Sequence, residues 1–107
     1  MKPKRKHARF HVGQPIHHRL FHYRGVVADV DASFSGSPEW YEHMARSRPS
    51  KDAPWYHVMV DGADHWTYVA ERNLEPDLSG QPIEHPDLGE VFIEFSDGLY
   101  RVRDGLN

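Results

Sequence analysis

Seven consecutive residues, Gly25-Val26-Val27-Ala28-Asp29-Val30-Asp31, carry the strongest β-strand signal in this chain. Their β-branched side chains favour extended backbone, and the second half alternates apolar with acidic residues. Successive side chains of a strand point to opposite faces. We therefore predict that Val26 faces the core together with Ala28 and Val30, whereas Val27 falls on the opposite face with the two aspartates.

Further strand signals lie on both sides of this run. Upstream, Gly13-Gln14-Pro15 opens a strand over Ile16 to Leu20, where a proline is tolerated because a first or edge residue need not donate a ladder hydrogen bond. Downstream, strands are predicted from Trp55 to Val60 and from Trp66 to Ala70, joined by the turn residues between them.

The C-terminal part predicts one more pair of strands. Asn73 to Leu78 is expected to close the fold with a turn, and Gly80 to Pro86 is expected to be a loop because it holds two prolines and a glycine. Val91 to Phe95 and Leu99 to Arg103 flank Ser96-Asp97-Gly98. This pattern predicts either a hairpin or a strand followed by a tail.

One helix interrupts the strands. Ser37 has the chemistry of a helix N-cap, and Pro38 suits the first helical position. Apolar residues then recur at helical spacing, so we predict a helix from Pro38 to about Arg46. Four or five short strands with one helical insertion and a C-terminal extension are typical of a mainly β, small SH3-like or Tudor-like barrel.

Charge divides the chain into two parts. Its 107 residues support a single domain. Residues 1–9 contain five Lys or Arg and no acid, whereas the remaining 98 contain eight Lys or Arg against sixteen Asp or Glu. We expect residues 1–9 to be a disordered basic arm and residues 10–107 to form the domain. Phosphate neutralisation dominates nucleic-acid affinity, so only the arm resembles a phosphate binder.

Several classes of protein are disfavoured. The chain has no cysteine, which rules out disulfides and agrees with a reducing cytoplasm. It has no long apolar run and no secretory signal, so we expect a soluble, cytoplasmic protein. Nucleophile elbows, phosphate-binding glycine loops and His-Glu-x-x-His motifs are missing, so we predict no enzymatic activity and no cofactor.

Histidines and aspartates were considered as metal ligands. His17 and His18 would point to opposite faces of a strand, so only one of them can join His22 in a site. Asp29 and Asp31 share a face and suit either a divalent ion or hydrogen bonds from the following loop. We favour the hydrogen bonds and predict no metal site.

Three segments together resemble a known family. They are Phe10-His11-Val12-Gly13-Gln14 continuing to the run that ends at Asp31, Ala53-Pro54-Trp55-Tyr56-His57-Val58, and Thr67-Tyr68-Val69-Ala70-Glu71-Arg72-Asn73-Leu74. In this order they resemble the HspQ/YccV-like family of bacterial heat-shock proteins. The resemblance implies an SH3-like barrel without catalytic activity, and self-association as a trimer. It also implies two roles: partnership with the Lon protease, as substrate and specificity-enhancing factor, and binding of hemimethylated DNA at replication origins.

Two sets of contact residues follow. The aromatic residues are candidates for protein contacts because aromatic side chains anchor interfaces; Trp55 in particular is expected to leave the core, since Tyr56 and its neighbours occupy the inward face. The protein-contact candidates are Trp55, His57, Trp66 and Tyr68. The DNA-contact candidates, for the alternative function, are Lys2, Lys4, Arg5, Lys6, Arg9, Arg46, Arg48 and Lys51. We rank the protease partnership first.

Overall fold

An antiparallel five-stranded sheet forms the body of the protein in the computed structural model, which describes residues 7–103. Its strands are β1 (Pro15–His18), β2 (Arg24–Asp31), β3 (Trp55–Val60), β4 (Trp66–Ala70) and β5 (Leu74–Pro76), and their spatial order is β4-β3-β2-β1-β5. A separate hairpin consists of β6 (Phe92–Ser96) and β7 (Leu99–Val102). The helices are α1 (Pro38–Met44), α2 (Leu88–Val91) and a 3₁₀ turn (Glu71–Asn73). The mainly β class predicted from the sequence is confirmed.

The main core lies on one face of this sheet. It is formed by seven buried side chains contributed by all five strands and the preceding N-terminal segment: Phe10, Ile16, Val27, Tyr56, Val58, Val69 and Leu74. Strand β1 connects β5 to the rest of the barrel-like sheet, because it pairs with β2 on one side and with β5 on the other. The segment Leu74–Pro76, predicted as a closing turn, is therefore a short strand instead.

The predicted facing of β2 is wrong in part. Val27 is completely buried in the main core, although it was assigned to the outer face. A bulge between Val27 and Asp29 shifts the pairing with β3, so alternation breaks there and Val30 returns to the side of Val27. Val26 and Ala28 pack against the C-terminal part of the chain. Both faces of β2 are thus covered.

The C-terminal part covers that second face. Ile83, Phe92 and Tyr100 form a second core with Val26 and Met59. The predicted hairpin is confirmed: Asp97 and Gly98 have positive φ values of 55° and 79°, as a two-residue turn of type I′ requires. The short helix α2 was not predicted, because four residues show no periodicity.

Helix α1 begins as predicted. The Ser37 Oγ accepts a hydrogen bond from the Trp40 backbone N–H at 3.0 Å, and Pro38 follows the cap. The helix ends at Met44, two residues before the predicted end at Arg46. It lies over the outer face of β3, where Tyr41 and Ala45 cover Trp55 and Ala70. No helix within residues 7–103 has the length and apolar character needed to cross a membrane.

Candidate functional site

A groove of about 520 Å³ runs along strand β4. One wall is helix α1, through Trp40 and Met44, and the other is the β1–β2 turn, through Leu20 and Phe21. All five residues of β4 line the space between them. We call this feature the β4 groove.

The rim of the β4 groove is unusually apolar for a surface. The exposed fractions of Leu20, Phe21, Met44 and Trp66 are 52%, 66%, 62% and 42%. Four large apolar side chains exposed around one concavity are typical of an interaction site rather than of scattered surface residues. Such rims bind apolar side chains of a partner and release water from both surfaces.

A cluster of aromatic rings forms the α1 side of the groove. Tyr68 lies at its centre, with ring centroids 5.2 Å from Trp55, 5.7 Å from Trp40 and 4.6 Å from His57. Edge-on and offset contacts of this kind stabilise the rings against each other. The cluster therefore provides a rigid surface for a ligand.

Trp55 does not leave the core. Only 1% of its surface is exposed, and its indole N–H donates to the Ser50 carbonyl oxygen at 3.0 Å. The prediction failed because it allowed β3 one buried face, whereas α1 and the loop after it bury the other. Trp55 supports the wall of the groove from beneath.

Trp66 is the predicted contact residue with the most exposed ring. Its indole N–H donates to Asp87 Oδ2 at 2.7 Å, which fixes the ring at one end of the groove. His57 and Tyr68 are half-buried and lie on the same face of the sheet, paired across β3 and β4. All four predicted residues thus line the groove, although Trp55 is almost completely buried.

His57 and Tyr68 also belong to a hydrogen-bond network centred on Asp31. Asp31 Oδ2 accepts from the Tyr68 hydroxyl at 2.7 Å, from Ser35 Oγ at 2.7 Å and from His57 Nε2 at 3.0 Å. The Tyr68 hydrogen bond lowers the pKa of the Asp31 carboxyl below its ordinary value; burial opposes the shift, and the Ser35 and His57 bonds reinforce it. The network ties β2, β3, β4 and the following loop together.

This network bears on the metal question. One ligand atom each from Asp29, Asp31 and His57 lie within 4.8 Å of one another. Asp31 is already bonded to three side-chain donors, and Asp29 Oδ1 accepts from the Val30 backbone N–H at 2.9 Å. These hydrogen bonds, including the one from Ser35 in the loop after β2, fit the hydrogen-bonding role predicted for the two aspartates.

Two of the three histidines that cluster in the sequence, His17 and His18, have different hydrogen-bond partners. His17 Nδ1 lies 2.8 Å from Glu75 on β5, whereas His18 is buried and its Nδ1 accepts from the backbone N–H groups of Leu20 and Phe21. Burial, followed by the charges of His17 and His22, lowers the pKa of His18. Neutral His18 shapes the β1–β2 turn that forms one groove wall.

The structure describes four of the eight predicted DNA-contact residues, namely Arg9, Arg46, Arg48 and Lys51. Lys2, Lys4, Arg5 and Lys6 lie outside the described residues. Arg46 lines the β4 groove, but Arg48 pairs with Glu42 at 3.1 Å, and the Lys51 ammonium lies 4.3 Å from the Tyr41 ring centroid. Arg9 donates its backbone N–H to Glu71.

Sequence reasoning missed two groups of residues, one lining the groove and one in the pocket beside it. The rim residues Leu20 and Phe21 were placed at or beyond a strand end; an apolar pair in a tight turn was the available signal. Arg19 and Arg72 line a smaller pocket of about 360 Å³ that shares Leu20, Ser47 and Asn73 with the β4 groove. Their proximity arises from tertiary structure, since they are 53 positions apart in the sequence.

Comparison with protein families gives a match over nearly the whole described chain. Residues 8–99 match the family model described as hemimethylated DNA-binding protein YccV-like. The matched range begins before β1 and ends at the first residue of β7, so it includes the five-stranded sheet, α1, every wall of the β4 groove and the second core except Tyr100.

Proposed function

Because the chain belongs to the YccV-like family, we propose that it is a non-enzymatic heat-shock protein of the HspQ type that acts by binding other proteins. Its partner is a Lon-type protease, for which it serves as substrate and as a factor that enhances degradation of other proteins. The cysteine-free composition agrees with the cytoplasmic location that we also propose.

The β4 groove carries this proposal. Protein contacts draw their affinity from apolar and aromatic side chains that become buried, and the groove presents four such side chains at its rim. The charge of the body supports the ranking, because residues 7–103 contain nine Lys or Arg against fifteen Asp or Glu. An acid excess disfavours long phosphate backbones but is compatible with a protein partner.

Degradation assays with purified Lon test the proposal. We expect the full-length chain to be degraded by Lon in the presence of ATP and to increase the degradation rate of a second Lon substrate. Phe21→Ser and Met44→Ser should weaken the second effect several-fold, because they remove apolar surface from the rim. Leu78→Ser is the matched control, since Leu78 is 91% exposed and lies outside the groove.

Two results would contradict the proposal. The first is a full-length chain that is stable to Lon and leaves its degradation rates unchanged. The second is equal loss of activity in the rim variants and in the Leu78 control. Sedimentation of the wild-type chain in the same buffer tests the trimer that the family resemblance implies.

Binding of hemimethylated DNA is the second candidate function. The matched family description names this ligand, and Arg19, Arg46 and Arg72 lie around one end of the groove. Binding to hemimethylated and fully methylated duplexes at two salt concentrations, with and without residues 1–9, tests it. If the chain still prefers the hemimethylated duplex after residues 1–9 are removed, our ranking of the two functions would be reversed. If binding is salt-sensitive, requires residues 1–9 and does not depend on methylation, the ranking would be supported.

A further inference from the structure

Strand β4 is an edge strand, and the groove follows its open edge. β4 pairs only with β3 in the five-stranded sheet. Trp66 and Tyr68 lie on the outer face opposite Met59 and His57, whereas Thr67 lies on the inner face opposite Val58. Residues of both faces line the groove. A groove lined by both faces of one strand runs along the edge of that strand.

The backbone of this edge is available for pairing. The Val60 N–H donates to the His65 carbonyl oxygen, which makes these two residues a hydrogen-bonded pair. Hydrogen-bonded and non-bonded pairs alternate along antiparallel strands, so the peptide groups of Trp66 and Tyr68 point away from β3. Within residues 7–103, neither peptide group is bonded to another segment. Exposed edges of this kind accept an additional strand.

The walls match an added strand. Side chains of an extended segment point alternately to its two sides. On one side they would contact Trp40 and Met44 of α1, and on the other Leu20 and Phe21 of the β1–β2 turn. The Tyr23 hydroxyl lies 2.7 Å from Thr67 Oγ1, which connects the start of β2 to β4.

Charge identifies one end of the occupant. None of the described residues lining the groove or the adjoining pocket is Asp or Glu, although acids outnumber bases in the body. Arg46, Arg19 and Arg72 lie at the end near Asn73. Arg72 donates to the Ser47 carbonyl oxygen, and Arg19 donates to the Arg72 carbonyl oxygen at 3.4 Å. These contacts hold each guanidinium group against a backbone carbonyl oxygen beside the adjoining pocket, and guanidinium groups favour carboxylates.

We propose that the β4 groove binds an extended segment of a partner protein that adds to the sheet beside β4. Its apolar side chains alternate between the two walls, and an Asp or Glu at one end contacts Arg19, Arg46 and Arg72. This inference deepens the proposed function and rests on it, since it specifies the chemistry of the protein partner.

Selection from a displayed library of random ten-residue peptides tests the occupant. With the full-length chain as bait, we expect enrichment of peptides that alternate apolar residues and carry Asp or Glu at one end. Binding of the best enriched peptide should weaken at least tenfold for Arg72→Glu. Arg101→Glu should bind normally, because Arg101 lies on the C-terminal hairpin, does not line the groove and pairs with Glu94. Enrichment of basic peptides, or of none, would overturn the proposal.

Amide hydrogen exchange tests the binding mode. The N–H groups of Trp66 and Tyr68 should exchange quickly in the free protein and at least tenfold more slowly with the enriched peptide bound. Two N-methylated versions of the peptide can be made, one methylated at the odd-numbered backbone nitrogens and one at the even-numbered ones. One of the two should not bind, because it lacks the N–H groups that face β4. If the peptide binds without slowing the exchange of these two amides, strand addition would be contradicted. It would also be contradicted if a hemimethylated duplex, and not the peptide, slowed their exchange.

These measurements are independent of the degradation assay. A peptide that binds and protects both amides, in a chain that has no effect on Lon, would support this inference and contradict the proposed function. A chain that is active with Lon but selects no peptide would support the proposed function and contradict this inference.

Discussion

A single carboxylate oxygen, Asp31 Oδ2, accepts hydrogen bonds from Tyr68, Ser35 and His57. Three elements therefore depend on one ionised side chain that is only partly exposed. Hydrogen bonds to charged groups contribute more to stability than neutral ones, and loss of the acceptor charge affects all of them together. At the residue scale, this network maintains the shape of the α1 wall.

Asp31→Asn should reduce the free energy of unfolding at pH 7 by about 1.5–3 kcal/mol. The folded pKa of Asp31 is below its unfolded value, so its stabilising effect is present above the unfolded pKa and disappears as pH falls through the folded pKa. The difference between wild type and variant should therefore shrink below about pH 4, the ordinary range of an Asp carboxyl. Urea denaturation at pH 7 and pH 3 measures it; an equal difference at both values would contradict the assignment.

Trp55→Ala should destabilise the protein by about 3–5 kcal/mol, because it leaves a large cavity beneath α1. Trp66→Ala is the matched control and should cost about 1 kcal/mol or less, since it removes an exposed ring and one hydrogen bond. Chemical denaturation of both variants checks this. Equal costs would mean that Trp55 is not the support of the groove wall.

The β1–β2 turn is an element whose shape depends on a titratable group. His18 Nδ1 accepts two backbone N–H groups, at 3.1 Å from Leu20 and 3.0 Å from Phe21. It can do so only while that nitrogen carries no proton. His22, which follows in the same turn, has a positive φ of 61°. The conformation that exposes Leu20 and Phe21 is therefore coupled to the neutral state of His18.

Stability should fall as the pH is lowered from 7 to about 5.5, because the folded pKa of His18 is depressed. Below the unfolded pKa of about 6.5, the unfolded chain binds more protons, and stability decreases with falling pH. His18→Asn retains an acceptor near the position of Nδ1 and removes the titration. Its stability should vary less over this pH range than that of the wild type. Identical pH profiles would contradict a role for His18.

At the scale of the whole molecule, the N-terminal loop and the C-terminal hairpin are joined through Gly13. The Gly13 N–H donates to the Val27 carbonyl oxygen, and the Gly13 carbonyl oxygen accepts from the Tyr100 N–H, both at 2.8 Å. A Cβ at this position would lie 2.1 Å from the Tyr100 carbonyl oxygen, and φ is +94°. The two ends of the described chain thus meet over β2.

Gly13→Ala should therefore destabilise the protein by about 3–5 kcal/mol, in the range of severe backbone clashes. Gly62→Ala is the matched control for backbone strain without a steric clash, because Gly62 has a φ of +76° but no atom within 4 Å of the added Cβ. It should cost only about 1–2 kcal/mol, the cost of a left-handed residue with a side chain. Thermal unfolding of both variants compares them, and similar losses would show that the hairpin is not held against Gly13.

Local patterns were sufficient for most elements. The β-branched run before Asp31, the Ser37-Pro38 helix start and the Asp97-Gly98 turn each contain their own physical signal, since strand alternation, capping and positive φ depend on near neighbours in sequence. The segments quoted for the family resemblance lie within the range that the family model matches. The segments whose structure depends on distant residues were mispredicted: Leu74–Pro76 becomes a strand only by pairing with β1.

The amino-acid sequence alone determined the mainly β class and the aromatic residues available for binding, because composition and local periodicity carry that information. It also indicated the family, through the three segments that resemble it. Tertiary structure alone decided which of those residues are exposed. Helix α1 buries Trp55, the C-terminal hairpin buries Val26, and the unpaired edge of β4 is left between an apolar turn and a helix. Burial and edge exposure depend on contacts between residues far apart in the chain, and no local pattern specifies those contacts.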